Sequence, residues 1–234
     1  MVEGPRGVEA TLEAGAAIEV AFIESGFQSG LVDDLTAADV DIRRVESGVL
    51  ERVLSTVSPQ PIAAIVARPD TPGTPVAADE GSGPVIVLAG VSDPGNVGTI
   101  IRSAVAAGAT AVVVGPGSAD PFGPKAVRSS VGTIFEAEIH QPASLDAAIS
   151  ELRATGWTVL GAEPRGGTAH HLIDLSGPVA LVLGGETAGL PSATAFDDSV
   201  TIPQLGPAES MNVAMAATVL LFEAARQRTA GNDP

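Results

Sequence analysis

Leu183-Gly184-Gly185-Glu186-Thr187-Ala188-Gly189-Leu190 is the stretch on which the fold of this chain turns. It follows an unbroken apolar run over residues 180–183, and a short run without polar alternation reads as a strand covered on both faces. Gly184, Gly185 and Gly189 let backbone come close to a ligand or to another loop. Toward the C-terminus come Ile202-Pro203 and then Glu209-Ser210-Met211-Asn212-Val213, which open an almost wholly apolar helix over 210–228. Toward the N-terminus, Asp93-Pro94-Gly95-Asn96-Val97-Gly98-Thr99-Ile100-Ile101-Arg102 repeats the arrangement of strand, turn and helix, with an arginine read as facing inward.

The same alternation extends over the last two thirds of the chain. Strand-like runs fall at 85–89, 111–114, 134–139, 158–162, 180–183 and 199–202. Helical patterns fall at 96–107, 124–130, 144–155 and 210–228, with a short turn at 190–193. Apolar runs separated by helices predict an α/β fold with a parallel sheet covered on both sides. Gly108 stands where a helix C-terminal glycine belongs. Residues 67–84 hold four prolines and three glycines and show no apolar period, so they are expected to be a linker. Ahead of them lies a smaller α/β unit. It reads as a helix at 7–14, a strand at 18–23, helices at 39–46 and 46–55, and a strand at 62–67.

The chain of 234 residues carries no cysteine, which excludes disulfides and thiolate metal sites. No signal-peptide pattern opens it. Its longest apolar tract, 213–222, is too short to cross a bilayer, so a soluble cytoplasmic protein is expected. The net charge of −16, with Lys125 as the single lysine among twelve basic residues, speaks against nucleic acid as a partner. A local patch can still have the opposite sign. Residues 94–130 hold one acid, Asp120, against Arg102, Lys125 and Arg128.

Dinucleotide, P-loop and serine-elbow motifs are absent, and His140, His170 and His171 lack metal spacing. In 93–102, Asn96 has helix-cap chemistry and Ile100, Ile101, Ala104 and Val105 fit a core face. Arg102 is left over, and burying a guanidinium without a partner is costly. An ion pair with Glu186 and a place in a catalytic cleft both remain open. Ser210 reads as a helix cap, with Asn212 inside the first turn, where asparagine is a poor helix former.

Together, the segments at 93–102, 183–190 and 202–213 resemble the SpoU (TrmH-like) RNA ribose 2′-O-methyltransferases. So does Asp120-Pro121-Phe122-Gly123-Pro124-Lys125-Ala126-Val127-Arg128-Ser129-Ser130. Glu3-Gly4-Pro5-Arg6 with Ser58-Pro59-Gln60-Pro61-Ile62 resembles the L30e-like domain that often precedes the catalytic one. The resemblance implies an L30e-like RNA substrate-binding domain at 1–66, the linker at 67–84 and a SPOUT trefoil-knotted methyltransferase domain at 85–234. It implies S-adenosyl-L-methionine enclosed by Ala162, Gly184, Ile202 and Met211. Asn96, Arg102, Glu186, Ser210 and Asn212 would be catalytic, and Arg6, Lys125 and Arg128 would touch RNA. No metal is implied. The partners would be structured RNA, ribosomal (23S) ahead of transfer RNA, and a second copy in a homodimer covering the last helix. The chain departs from the family's usual Gly-Asn-Glu-Gly at Gly185 and Thr187, and Met211 stands where leucine is usual. The alternative is an RNA-binding or regulatory paralogue without transfer activity.

Overall fold

A computed structural model describes residues 1–54, 60–73, 77–79, 81–185, 189–190, 196–207 and 209–230. The N-terminal part runs β1 (Val2–Glu3), α1 (Pro5–Glu13), β2 (Ile18–Glu24), α2 (Gly30–Ala37), β3 (Asp41–Val45), α3 (Val49–Val53) and β4 (Ile62–Val66). Its strands form a mixed sheet in the order β1-β4-β2-β3, with β4 antiparallel to both neighbours and β2 parallel to β3.

One expectation fails in this part, and one helix was not expected. Residues 39–46 are not a helix. Asp41–Val45 is an edge strand, with Ile42 and Val45 packed against the core and the arginines turned outward. The missed helix is α2, where Ser29 accepts from the backbone N–H of Leu31 at 3.3 Å, and Leu31 and Leu35 are buried one turn apart.

The C-terminal part continues with β5 (Val85–Ala89), α4 (Pro94–Ala106), β6 (Ala111–Val114), α5 (Pro124–Ser130), β7 (Ile139–His140), α6 (Leu145–Ala154), β8 (Thr158–Ala162), β9 (Thr168–Ala169), β10 (Val179–Gly184), β11 (Asp198–Thr201) and α7 (Val213–Ala230). The strands pair in the order β7-β6-β5-β10-β8-β11-β9, every pairing parallel. The parallel sheet is as expected, and its inner strands β5, β6 and β10 are buried almost throughout. The expected strand at 134–139 is instead a 3-10 turn, Thr133–Phe135, followed by the short β7. Gly132, at φ +87°, starts that turn and points Ile134 into the core. The resemblance implies a trefoil knot in the last part of the chain, where 186–188 and 191–195 lie outside the described residues. Ser58, Pro59 and most of the turn at 190–193 lie outside them too.

The two sheets share one apolar core that reaches from Val2, Val8 and Ile62 to Ile86, Ile100 and Leu181. At the joint, a Cβ on Gly132 would stand 2.7 Å from the carbonyl oxygen of Gly7, so α1 packs against bare backbone. The Pro/Gly-rich segment is tied down. Arg68 lies 4.8 Å over the Phe122 ring and bonds Asp120 and Gln141, and Ala78 N–H donates to Thr155 O.

Helix α7 buries Val213, Ala214, Ala217, Leu220, Leu221 and Ala224, while Met215 and Phe222 are exposed. Ser103 and Thr218 share a hydrogen bond of 2.8 Å that fixes α7 on α4. Near its end the helix is tied to neighbouring segments. Gln227 accepts from Leu175 N–H at 2.8 Å and donates to Ile173 O, and Arg228 reaches Gly81 O.

Hydrogen bonds from Arg226, then from Gln227, with the charge of Arg226, hold the Glu223 carboxyl down at about 2 from 4.5. The folded state therefore binds that proton less readily than the unfolded state does. Its stabilisation is complete above about pH 4.5 and is lost as pH falls toward about 2. Urea unfolding followed across that window should show Glu223→Gln losing less stability on acidification than the wild type. Equal losses would place the acid sensitivity elsewhere. Among the described residues no helix is long and apolar enough to cross a membrane.

Candidate active site

Because β5, β8, β10 and β11 are parallel neighbours, their carboxyl ends open onto one edge of the sheet, where α/β proteins bind ligands. The loops leaving β5 and β10 meet there almost without side chains. A Cβ on Gly185 would fall 1.9 Å from Gly90 O, and one on Gly184 would fall 2.3 Å from the carbonyl carbon of Gly189. Gly185, which departs from the family's usual asparagine, therefore sits where this backbone leaves no room for a side chain.

Helix α4 starts at this edge. Asp93 caps it, accepting from the N–H groups of Gly95 at 2.6 Å and Asn96 at 3.0 Å. Asn96, expected to be the cap, lies inside the first turn, with its side chain directed across the site. Its Oδ1 accepts from Asn212 Nδ2 at 3.2 Å, joining residues 116 positions apart. Asn212 is itself the cap of α7, since its Oδ1 accepts from Ala214 N–H at 2.9 Å and Met215 N–H at 3.3 Å. Ser210, expected to be that cap, is exposed and stands ahead of the helix at the cleft rim. The sequence showed both polar heads but exchanged their duties, because Asp, Asn and Ser all have cap chemistry.

Arg102 does not face inward. Val97, Ile100, Ile101 and Ala104 form the buried stripe of α4, and Arg102 lies off it, exposed, with no hydrogen-bond or ion-pair partner among the described residues. Its apolar neighbours in sequence point the other way. Glu186, the alternative partner, lies outside the described residues.

A solvent-open cleft of about 520 Å³ lies between the ends of β8, β10 and β11 and the start of α7. Ala162, Gly184, Ile202 and Met211, named from the sequence, all line it, and Met211 and Val213 flank Asn212. Its walls are otherwise mostly aliphatic. Glu163, missed in the sequence, is the one charged side chain among the described lining residues, and its place directly after Ala162 at a strand end was the available signal.

Lys125 and Asp93 form an ion pair of 2.9 Å beside the head of α4. The bond from Lys125, then that from the Asn96 N–H, lowers the Asp93 carboxyl below its usual range, so the cap stays charged. One turn on, Arg128 Nη1 approaches Glu3 Oε1 at 3.5 Å across the joint between the two sheets, and Arg6 lines the same groove, exposed. Among the described residues no cluster suits a metal ion. His170 and His171 stack edge to face, and buried His140 contacts Glu138 at 3.0 Å.

This is an α/β protein with a mostly aliphatic cleft at the carboxyl edge of a parallel sheet, an asparagine pair at the mouth, and cations running from there toward the N-terminal sheet. It belongs to the SpoU rRNA Methylase family, whose pattern matches residues 83–222; residues 1–72 match the RNA 2′-O ribose methyltransferase substrate-binding domain. The chain is 32% identical to the 23S rRNA (guanosine(2553)-2′-O)-methyltransferase RlmP of Bacillus subtilis, over 95% of this chain and 86% of that protein. It is 36% identical to a 23S rRNA (guanosine-2′-O-)-methyltransferase RlmB of Xanthomonas campestris, over 81% and 79%. In structure it is similar to the SpoU methyltransferase AviRb of Streptomyces viridochromogenes in complex with AdoMet. The TM-score is 0.83 at 31% identity, covering 97% of this chain and 89% of that one.

Proposed function

We propose that this chain transfers a methyl group from S-adenosyl-L-methionine to a ribose 2′-oxygen of 23S ribosomal RNA, in the cytoplasm. The observation that carries the reading is the meeting of Asn96 and Asn212 at the mouth of a cleft lined by Ala162, Gly184, Ile202 and Met211. The cleft fits the cofactor in chemistry. Aliphatic walls suit an adenine ring, the half-buried backbone at Gly184 suits its polar edge, and Glu163 suits hydroxyls or a cation. When bound, S-adenosylmethionine supplies an electrophilic methyl carbon attached to a sulfonium. AdoMet-bound relatives from Streptomyces viridochromogenes and Sinorhizobium meliloti support the assignment.

The protein's own part is positioning. Asn96 and Asn212 brace each other and fix the heads of α4 and α7, so the mouth keeps its shape when RNA arrives. Arg102, exposed and uncommitted among the described residues, orients the ribose hydroxyl and holds an adjacent phosphate through its planar fork. Its guanidinium offers five N–H donors and no acceptor, so in this reading it serves as donor and not as the base. The proton passes to a phosphate oxygen or to water. Ser210 and Glu186 complete the proposed catalytic set. Arg6, Lys125 and Arg128 are proposed to track the RNA backbone, a local basic path on a chain of net charge −16. The substrate-binding domain is assigned to 1–66, the connecting segment to 67–84 and the transferase domain to 85–234.

A homodimer through α7 is part of the proposal. Met215 and Phe222 stand 54% and 47% exposed, with half-buried Val219 between them on one helix face. Light scattering should give twice the mass of one chain, and Phe222→Glu with Met215→Glu should return a monomer. A wild type that is monomeric at micromolar concentration sinks this part. For the activity, the test is labelled-methyl transfer to 23S and transfer RNA from a strain lacking the gene, followed by nucleoside analysis. Label in a 2′-O-methyl nucleoside of 23S RNA is expected, and no label in either RNA would refute the enzymatic reading.

A further inference from the structure

The groove at the joint between the two sheets holds a polarity that methyl transfer leaves unused. It is an open groove of about 820 Å³, solvent included, between residues 1–7 with Gln60 on one side and Pro124, Val127, Arg128, Val131 and Gly132 on the other. Glu3 lines it. Its side chain is only 6% exposed, its Oε1 is held loosely by Arg128 at 3.5 Å, and its Oε2 is buried with no hydrogen-bond partner. A buried carboxylate oxygen without a donor is costly, so this atom is an acceptor waiting for an N–H. Two guanidinium groups stand in the same groove: Arg6, exposed, and Arg128, whose side chain is 38% exposed.

An acceptor and two cations in one groove suit neither a bare phosphate, which Glu3 would repel, nor a free cation, which the arginines would repel. They suit a nucleotide, which carries a phosphate and a donor-bearing base together. The guanidinium of Arg128 has five N–H donors, enough to keep Oε1 while gripping a phosphate. Location agrees with this. Arg128 is one turn along α5 from Lys125, Lys125 pairs with the cap of α4, and that helix carries Asn96. A strand with its ribose at the Asn96–Asn212 mouth thus has a basic path into the groove.

Resting on the reading of this chain as an RNA enzyme, we propose that the groove is a base-reading pocket. In it Glu3 accepts hydrogen bonds from the Watson–Crick edge of an unpaired guanine, while Arg6 and Arg128 hold the neighbouring phosphates. Chemistry selects the base. Guanine offers N1–H and N2–H side by side to a carboxylate. Adenine and cytosine offer one amino donor beside a ring nitrogen that repels it, and uracil offers one N–H between two repelling carbonyls.

The test is fluorescence anisotropy at low salt with the full chain and labelled pentanucleotides r(UUGUU), r(UUIUU), r(UUAUU) and r(UUUUU). The guanine probe should bind about tenfold tighter than the adenine and uracil probes, with inosine, which lacks the N2 amine, in between. Glu3→Gln should bring the four within about twofold while S-adenosylhomocysteine affinity, read by calorimetry, stays at the wild-type value. A readout free of mutation guards against a misfolded variant: 6-thioguanosine at the central position should photo-cross-link the wild type within residues 1–7 or 124–132. Equal binding of the four probes by the wild type, a guanine preference that survives Glu3→Gln, or cross-links mapping elsewhere would overturn the proposal. Guanine preference through Glu3 in a protein that transfers no methyl group would uphold it and sink only the enzymatic reading.

Discussion

Arg102→Ala is expected to lower methyl transfer by about 10²–10³-fold, the range seen when one donor that steadies developing charge is removed. S-adenosylhomocysteine affinity should stay within about threefold, because Arg102 does not line the cofactor cleft. Thermal stability should barely move, since an exposed side chain without partners among the described residues leaves no gap in the core. This split between rate and binding separates a residue that touches the reacting ribose from one that holds the fold. Arg102→Lys sharpens it. Lysine keeps the charge but not the planar fork, so it should recover only part of the rate if orientation of the hydroxyl and phosphate matters. Wild-type transfer by the alanine variant would remove Arg102 from the site.

The exposure of Arg102 also shows what sequence alone could and could not give. Residues 85–89, 111–114, 124–130 and 158–162 were placed at their observed bounds, because an apolar run or a proline-led helix between glycines has one reading. The four cleft residues were reached by resemblance, and the structure brings all four together. Local direction was harder to read. Arg102 sits among apolar neighbours in sequence, yet one step off the buried stripe turns a helical side chain by about 100°. Cap chemistry was similarly degenerate at 93–96 and 210–212, where several residues can serve and tertiary contact decides. Asn96 is released from capping because Asp93, steadied by Lys125 from another helix, takes that duty. The strand at 41–45 was misread because its charged residues lie on an exposed edge, where two arginines hide the strand period. Glu3 was visible only as the first residue of the Glu3–Arg6 motif, because its partner Arg128 lies on α5, more than a hundred residues away.

The second large effect is expected at Gly184. Its α-carbon ends β10 and lines the cleft, and a methyl group there would stand 2.3 Å from the carbonyl carbon of Gly189 and 2.6 Å from the Leu190 nitrogen. Those atoms are backbone, so no side-chain rotation relieves the overlap. The loop must move outward or β10 must shift, and β10 is held between β5 and β8 in register. Overpacking of this kind costs about 1–3 kcal/mol or more. For a chain of this length that lowers the melting temperature by about 2–4 °C per kcal/mol. Binding should suffer more than stability, because Leu183 and Gly184 at the displaced strand end are themselves part of the cleft wall. Gly184→Ala should therefore weaken S-adenosylmethionine binding by at least about a hundredfold, close to 3 kcal/mol, while the variant still melts cooperatively. The pattern is the reverse of Arg102→Ala, which spares binding and removes rate. Calorimetry on both variants reads the difference directly. A Gly184→Ala protein that binds the cofactor as the wild type does would mean that the cofactor lies elsewhere, and the assignment of Ala162, Ile202 and Met211 would fall with it.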